Sequence, residues 1–161
     1  MKYDDNQEIE DHNKILFNNF RKYNFPTTEY AIVSGGPLAI RGIKKTGDVD
    51  LVVSDKLWAE LSAKHPIKKV DGFDAEIISL DEDTDVISFR NAEDEGQDGN
   101  PTNNQQIENA EIIEELSFQS LRDCLWFKKH SDREKDKKDA ELVKVYLENH
   151  PEELKEIDFP L

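Results

Sequence analysis

Apolar residues recur at helical spacing from Glu8 to Tyr23, with Ile9, Leu16 and Phe20 on one face and Ile15 and Phe17 widening it. The pattern stops before Phe25-Pro26, which predicts an amphipathic first helix. Tyr30-Ala-Ile-Val33 is a short apolar run that ends in Gly35-Gly36-Pro37. It predicts a strand entering a tight turn, with Pro37 near the first position of a helix over Leu38 to Ile43. Gly47 to Ser54 is rich in Val and Leu and predicts a second strand, followed by a helix capped at Ser54 or Asp55 and running through Trp58 and Leu61.

Beyond the loop at His65-Pro66, Phe73 to Leu80 alternates well enough for a third strand, and Val86 to Phe89 reads as a fourth. Residues 91–109 are acidic and polar with almost nothing to bury, so a mobile loop is expected there. Ile112 to Phe118 is weakly strand-like. Ser120-Leu-Arg-Asp123 has the form of a capping box opening a helix through Leu121, Leu125 and Trp126. A last helix, from about Asp132 to Asn149, puts Ala140, Val143 and Leu147 on one face. The acidic tail after Pro151 is expected to lie loosely on the surface. The order of elements predicts an α/β (α+β) fold. It is a single domain over residues 1–161 with a small mixed sheet of four or five strands, helices on one side and a C-terminal helical pair.

Length and charge narrow the function. A chain of 161 residues can bury one core without disulfides or structural zinc, and no internal repeat is visible. Cys124 is the single cysteine, and His12, His65, His130 and His150 lack ligand spacing, so neither a disulfide framework nor a zinc site is readable. No stretch approaches the roughly 18 apolar residues of a membrane span. The first 13 residues are acidic and polar rather than signal-like, so a cytoplasmic protein with no membrane partner is expected. The 36 acidic side chains outnumber the 21 basic ones, for a formal net charge of −15. That excess argues against long nucleic acid as a ligand, because no cationic stripe is available to release its counterions. A small nucleotide accompanied by divalent cations remains compatible with it.

Asp48 and Asp50 stand at i and i+2 in an otherwise apolar strand, so their side chains leave the same face, with Cα atoms about 6.5–7 Å apart. Like charges this close repel unless one is protonated or a cation intervenes, and Mg²⁺ favours one or two carboxylates together with substrate phosphates. An exposed strand end with no role is the plainer alternative. Against it stands the apolar Leu51-Val52-Val53, which marks a central strand. Gly35-Gly36 allows close approach of backbone N–H groups to an anion, although most such pairs are simply turns. Trp58 and Trp126 read as core residues rather than base-stacking platforms.

Ser34 to Val53, with its glycine pair, its Arg41-Gly42 and its Asp48-Val-Asp50, resembles the signature of the nucleotidyltransferase-like superfamily, the polymerase-beta-type minimal fold. The segments 107–113 and 120–128, and Arg133-Glu-Lys135-Asp136-Lys-Lys-Asp139, are similar to the later part of small bacterial members. There a lysine-bearing helix precedes an R-x-K-D-x-x-D helix. The matched segments span about half the chain. Many active members carry Gly-Ser where this chain has Gly35-Gly36; glycine pairs occur in the tRNA-nucleotide-adding and abortive-infection toxin branches.

The resemblance implies an in-line attack on the α-phosphorus of a nucleoside triphosphate, ATP by default, with two Mg²⁺ ions held by Asp48 and Asp50. It also implies a third carboxylate on a neighbouring strand, for which Glu76 is the first candidate and Asp74 the second. Ordinary strand polarity is the alternative, since Asp71, Asp81, Asp83 and Asp85 surround them. The Gly35 and Gly36 amides would bind phosphate oxygens, Arg41 or Lys44 would neutralise charge, and Lys128 or Lys135 would reach the nucleotide from the far wall. For Arg133, Lys135, Asp136 and Asp139, helix-surface ion pairing is the competing explanation. The expected function is Mg²⁺-dependent transfer of a nucleoside monophosphate to a small-molecule or protein hydroxyl. The alternative is a catalytically inactive binding module, such as a toxin–antitoxin component. Addition of nucleotides to tRNA fits neither the length nor the charge.

Overall fold

The computed structural model describes residues 2–70, 75–89 and 99–161. Its elements run α1 (Lys2–Phe20), a 3₁₀ turn (Arg21–Tyr23), β1 (Tyr30–Val33), α2 (Gly36–Ile40), β2 (Val49–Val53), α3 (Asp55–Ser62), β3 (Lys68–Lys69), β4 (Ala75–Asp81) and β5 (Thr84–Phe89). After these come α4 (Asn103–Glu108), β6 (Glu111–Ile113), β7 (Leu116–Phe118), α5 (Leu121–Lys129), α6 (Glu134–Glu148) and α7 (Pro151–Leu154). The strands form one mixed sheet in the order β3-β4-β5-β2-β1-β7-β6, with β2 at its centre. β2 runs antiparallel to β1 and parallel to β5, and β1 runs parallel to β7.

Local chemistry sets the element boundaries. The Ser54 hydroxyl accepts the Leu57 N–H at 3.1 Å and opens α3, with Asp55 in the first turn where the helix dipole favours a negative charge. Pro37 sits in the first turn of α2, where its missing N–H costs nothing. Ser120 caps α5 through the Asp123 N–H.

The strand register assigns each side chain to a face. Ile32, Leu51, Val86 and Ile78 form a row across β1, β2, β5 and β4. This row packs with Leu16, Phe17 and Phe20 of α1 and Leu57 and Leu61 of α3 in the main core. Phe17 meets Phe118 edge-on at 5.3 Å. On the opposite face Ala31, Val33 and Val52 pack with Ile107 and Ala110 at α4. A third cluster joins Leu38 of α2 to Leu125 of α5 and to Val143 and Leu147 of α6. Helices therefore cover both faces of the sheet, not one. Each face carries its own apolar row, and each row needs a cover.

Other expectations also change. The sheet has seven strands among the described residues, not four or five. The additions are the two-residue β3 and a split of residues 112–118 into a hairpin whose turn residues, Glu114 and Glu115, both have positive φ. Strands this short carry too few residues for alternation to register. The expected mobile loop over 91–109 lies partly outside the described residues, but its last part is α4. A full capping box starts that helix: the Thr102 hydroxyl accepts from the Gln105 N–H while the Gln105 side chain accepts from the Thr102 N–H. The T-x-x-Q spacing was visible and the polar composition masked it. The tail is not loose either. Leu154, Ile157 and Phe159 pack against the third cluster, and Glu153 accepts from Arg41 and from the Tyr146 hydroxyl. Among the described residues no helix is long and apolar enough to cross a membrane.

Gly36 shows how closely α2 lies on β1. A Cβ added there would stand 2.3 Å from Cγ2 of Ile32, a core side chain that cannot give way. Gly36→Ala is expected to lower stability by about 1–3 kcal/mol, the usual cost of overpacking, read as a fall in the urea midpoint without loss of cooperativity.

Candidate metal site and adjoining cavity

Register brings the acidic residues together. Asp50 stands opposite Val33 of β1 on one side and Asp85 of β5 on the other, so Val33, Asp50 and Asp85 form a row on the face away from the main core. Asp48, just before β2, leaves the same face as Asp50. Oxygen atoms of Asp48, Asp50 and Asp85 all lie within 4.8 Å of one another. Ser79 of β4 donates to Asp85 at 2.7 Å and orients its carboxylate.

Burial raises the pKa of Asp50 most, and the negative charges of Asp48 and Asp85 add to it, pushing the group up to about 7 against the pull of Lys135. Asp48 is also raised, by burial first and by Asp85 and Asp83, with Lys135 again opposing. Lys135 lies in the first turn of α6, and its charge acts on both aspartates.

The turn after β1 lies beside this cluster. Ser34 takes a positive φ, and Gly35 packs so closely on Thr46 that an added Cβ would stand 2.7 Å from its hydroxyl oxygen. The Thr46 hydroxyl in turn donates to the Asp48 carbonyl at 3.1 Å. The glycine pair thus lets the β1 turn and α2 pack against the segment that carries Asp48.

The expected third carboxylate, Glu76, does not join the cluster. It pairs with Ser88 two positions beyond the Ile78–Val86 pair, so its side chain leaves the sheet on the main-core face, opposite Asp50 and Asp85, and it is 5 % exposed. Asp74 lies outside the described residues. Asp85 holds the place expected of Glu76. Its signal was present, because Thr84-Asp85-Val86 repeats the motif of an acid entering an apolar strand seen at Val49-Asp50-Leu51. What the chain did not reveal was which strand pairs with β2.

The expected phosphate-binding cations are mostly engaged in structure. The Arg41 side chain is buried. It donates to Glu111 at 2.6 Å, to Glu153 at 3.1 Å and to the Pro37 carbonyl at 2.9 Å, tying α2 to β6 and α7. Lys44 donates to Asp139 at 2.8 Å, and Lys128 donates to the other oxygen of Asp139 at 2.9 Å and lies 3.6 Å from Asp136. Burial works against the charge of Lys128, yet Cys124, Asp139 and Asp136 outweigh it and hold its pKa above the ordinary lysine value. Burial likewise opposes ionisation of Asp139, but hydrogen bonds from Lys44 and Lys128 keep its carboxyl below the usual range. Asp139 and Lys135 are four residues apart on α6 and share a face, so the ion pairs that dock Asp139 also aim Lys135 toward the carboxylates. Trp126 stacks on His130 at 4.1 Å and donates to Asn100 at 3.0 Å, while Trp58 packs against the main core.

The carboxylate face continues into a cavity of about 220 Å³. Its floor includes Val33, Val52 and Ile87, the residues beside or two positions beyond Asp50 and Asp85, and α5 and the start of α6 supply Phe127, Lys128 and Arg133. A charged rim of hard oxygen ligands therefore borders a largely apolar recess, a combination suited to a ligand with an anionic end and a flat apolar end.

No protein-family model, curated protein or solved structure matches the chain.

Two predictions follow from these ionisations. Folded Asp50 keeps its proton well above the 3.8 of a free side chain, so the folded state binds more protons between pH 3.8 and about 7, and this group's contribution to stability falls as pH rises through that window. With a chelator present, Asp50→Asn is expected to be more stable than the parent by about 1–3 kcal/mol at pH 8 and to show no gain at pH 4, measured by paired urea titrations. Asp139→Ala would leave Lys128, 5 % exposed, without its main counter-ion. A loss of about 3 kcal/mol is expected in the same measurement.

Proposed function

We propose that this chain is a divalent-metal-dependent nucleotidyltransferase of the polymerase-beta-type superfamily, transferring a nucleoside monophosphate from a nucleoside triphosphate to a small-molecule or protein hydroxyl. The observation that carries the reading is the cluster of Asp48, Asp50 and Asp85 on one sheet face beside an apolar cavity. Three carboxylates offer hard oxygen ligands of the kind Mg²⁺ takes, and the pKa of Asp50 is raised by its burial first and then by the charges of Asp48 and Asp85, which a bound cation would offset. Bound Mg²⁺, two ions on the family pattern, would offset triphosphate charge and favour an ionised acceptor hydroxyl.

Around that site the chain supplies position and charge. Asp50, the most buried of the pair on β2, and Asp85, oriented by Ser79, present fixed oxygens. Asp48 is exposed and meets solvent and substrate at the rim. Lys135 brings positive charge from the opposite wall, and Arg133, exposed and lining the cavity, is placed to meet a phosphate oxygen. The recess next to Asp50 and Asp85 would take the base.

A second reading is favoured by a specific observation. Arg41, Lys44 and Lys128 give their charge to Glu111, Glu153 and Asp139 rather than to the open site, so these three are not available to offset the charge of a triphosphate. This suits a non-catalytic module that binds nucleotide or a protein partner. Isothermal titration separates the outcomes. Mg²⁺-dependent binding of a non-hydrolysable ATP analogue is expected, lost in Asp48→Ala/Asp50→Ala and weakened at least about 10-fold in Asp85→Asn, but kept in Glu76→Gln. Full affinity in the double variant refutes the site. Binding without transfer of an α-labelled phosphate to any acceptor in a lysate supports the module.

A further inference from the structure

The wall of the cavity beside the carboxylates holds a buried acceptor that no described residue satisfies. Gln119 follows β7, its N–H is anchored on the Ile32 carbonyl at 2.8 Å, and it is 3 % exposed. It lines the cavity, and its Oε1 has no hydrogen-bond partner among the described residues. A buried acceptor without a donor forfeits its hydration with nothing in return, so such an atom calls for a donor.

The orientation of the amide follows from the network behind it. Gln106 of α4 donates from Nε2 to the Pro101 carbonyl at 3.3 Å, and a carbonyl oxygen can only accept. The Oε1 of Gln106 is thereby turned toward Gln119, whose Nε2 must donate to it, at 2.8 Å. With Nε2 committed, Gln119 is left to present an oxygen. Flipping either amide would set two oxygens or two NH₂ groups against each other. The capping box of α4 and the sheet bond of Gln119 hold both ends of this relay on regular structure.

The neighbouring polar groups do not supply the missing donor. Lys128 gives its protons to Asp139 and Asp136, and Asp136 accepts from Ser131. The remaining lining is Ser34, Cys124, whose Sγ donates to the Ser34 carbonyl at 3.6 Å, the exposed Arg133, and the apolar Val33, Val52, Ile87 and Phe127; none of them is bonded to Gln119 Oε1. At about 220 Å³ the recess is smaller than the roughly 300–1,000 Å³ of a site that encloses a whole drug-sized ligand, and it suits one planar ring system with the rest of the ligand outside.

Resting on the nucleotide reading above, we infer that this recess is a base-selective subsite in which Gln119 Oε1 accepts a hydrogen bond from the 6-amine of adenine or the 4-amine of cytosine, so that these bases are preferred over guanine and uracil, which carry an oxo group at the same position. An oxo group in the amine's place would set oxygen against oxygen with both desolvated, and a ring with no substituent there would leave Gln119 unsatisfied. Gln119 acts on choice of nucleotide, not on the reacting atoms.

The test uses the full chain and changes the ligand before the protein. Equilibrium binding is measured with Mg²⁺ for the non-hydrolysable triphosphates of adenosine, of purine riboside, which lacks only the amine, and of guanosine. Adenosine and purine riboside themselves are measured without metal. Adenosine is expected to bind about 10-fold tighter than purine riboside, both as nucleoside and as triphosphate, with guanosine triphosphate no tighter than that of purine riboside. Gln119→Met, of similar length, should bring the adenosine to purine riboside ratio close to one while binding of the triphosphate stays Mg²⁺-dependent. Equal binding of adenosine and purine riboside compounds by the parent protein overturns the inference and leaves the metal reading standing, as does a preference that survives Gln119→Met. An adenosine preference with no gain from triphosphate and Mg²⁺ supports the subsite while refuting nucleotidyl transfer. No binding of any of these ligands overturns both. Because the parent and the ligand pairs decide the main question, a Gln119→Met chain that fails to fold does not remove the test.

Discussion

Three carboxylates are held where electrostatics alone would not leave them. Asp50 and Asp85 face each other across a parallel strand pair, and Asp48 leaves the same face two residues earlier, so the backbone ladder that builds the centre of the sheet also prevents the acids from separating. The other face of the same strands carries Leu51 and Val86 in the main core, so a one-residue slip that parted the acids would turn those side chains to the wrong side. Burial of the apolar face thus sustains the repulsion on the acidic one. Burial of Asp50 raises its pKa most and that repulsion adds to it, and a divalent cation is the natural partner for such a group.

Positive charge is distributed with the same economy. In a chain of net charge −15, the buried cations Arg41 and Lys128, with Lys44, serve as ties between elements. Asp139 is the junction, taking Lys44 on one oxygen and Lys128 on the other, and so it joins the turn after α2, α5 and α6. Docking α6 in this way carries Lys135 to the carboxylates one helical turn away. A segment that reads as a charged helix surface therefore has one face on which Asp139 locks the fold and Lys135, a turn earlier, brings its charge to bear on Asp48 and Asp50.

The carboxylate rim and the recess are parts of one surface. The strand positions that carry Asp50 and Asp85 continue into Val52 and Ile87, and α4, α5 and the start of α6 close the other side. Gln119 and Gln106 add a polar relay to a recess whose floor is the apolar Val33, Val52 and Ile87. A buried acceptor with no partner is tolerable when a ligand completes it, and that ties the specificity proposed for the recess to the chemistry proposed for its rim.

Much of this was legible along the chain: the strand over residues 49–53, its capped successor helix, the glycine turn after the first strand, and Asp48 with Asp50 on one face. These depend on spacing and on contacts a few residues away, which local sequence determines by itself. Glu76 and Asp85 were indistinguishable there, because both are acids among apolar strand residues. Only the pairing of β5 with β2, and the register of β4 on β5, sent one to the carboxylate face and the other to the core. Arg41 and Lys44 looked available because their partners, Glu111, Glu153 and Asp139, lie 70, 112 and 95 residues away. The face a strand residue occupies and the charge that neutralises a cation are properties of contacts between distant segments, and those the tertiary structure alone decided.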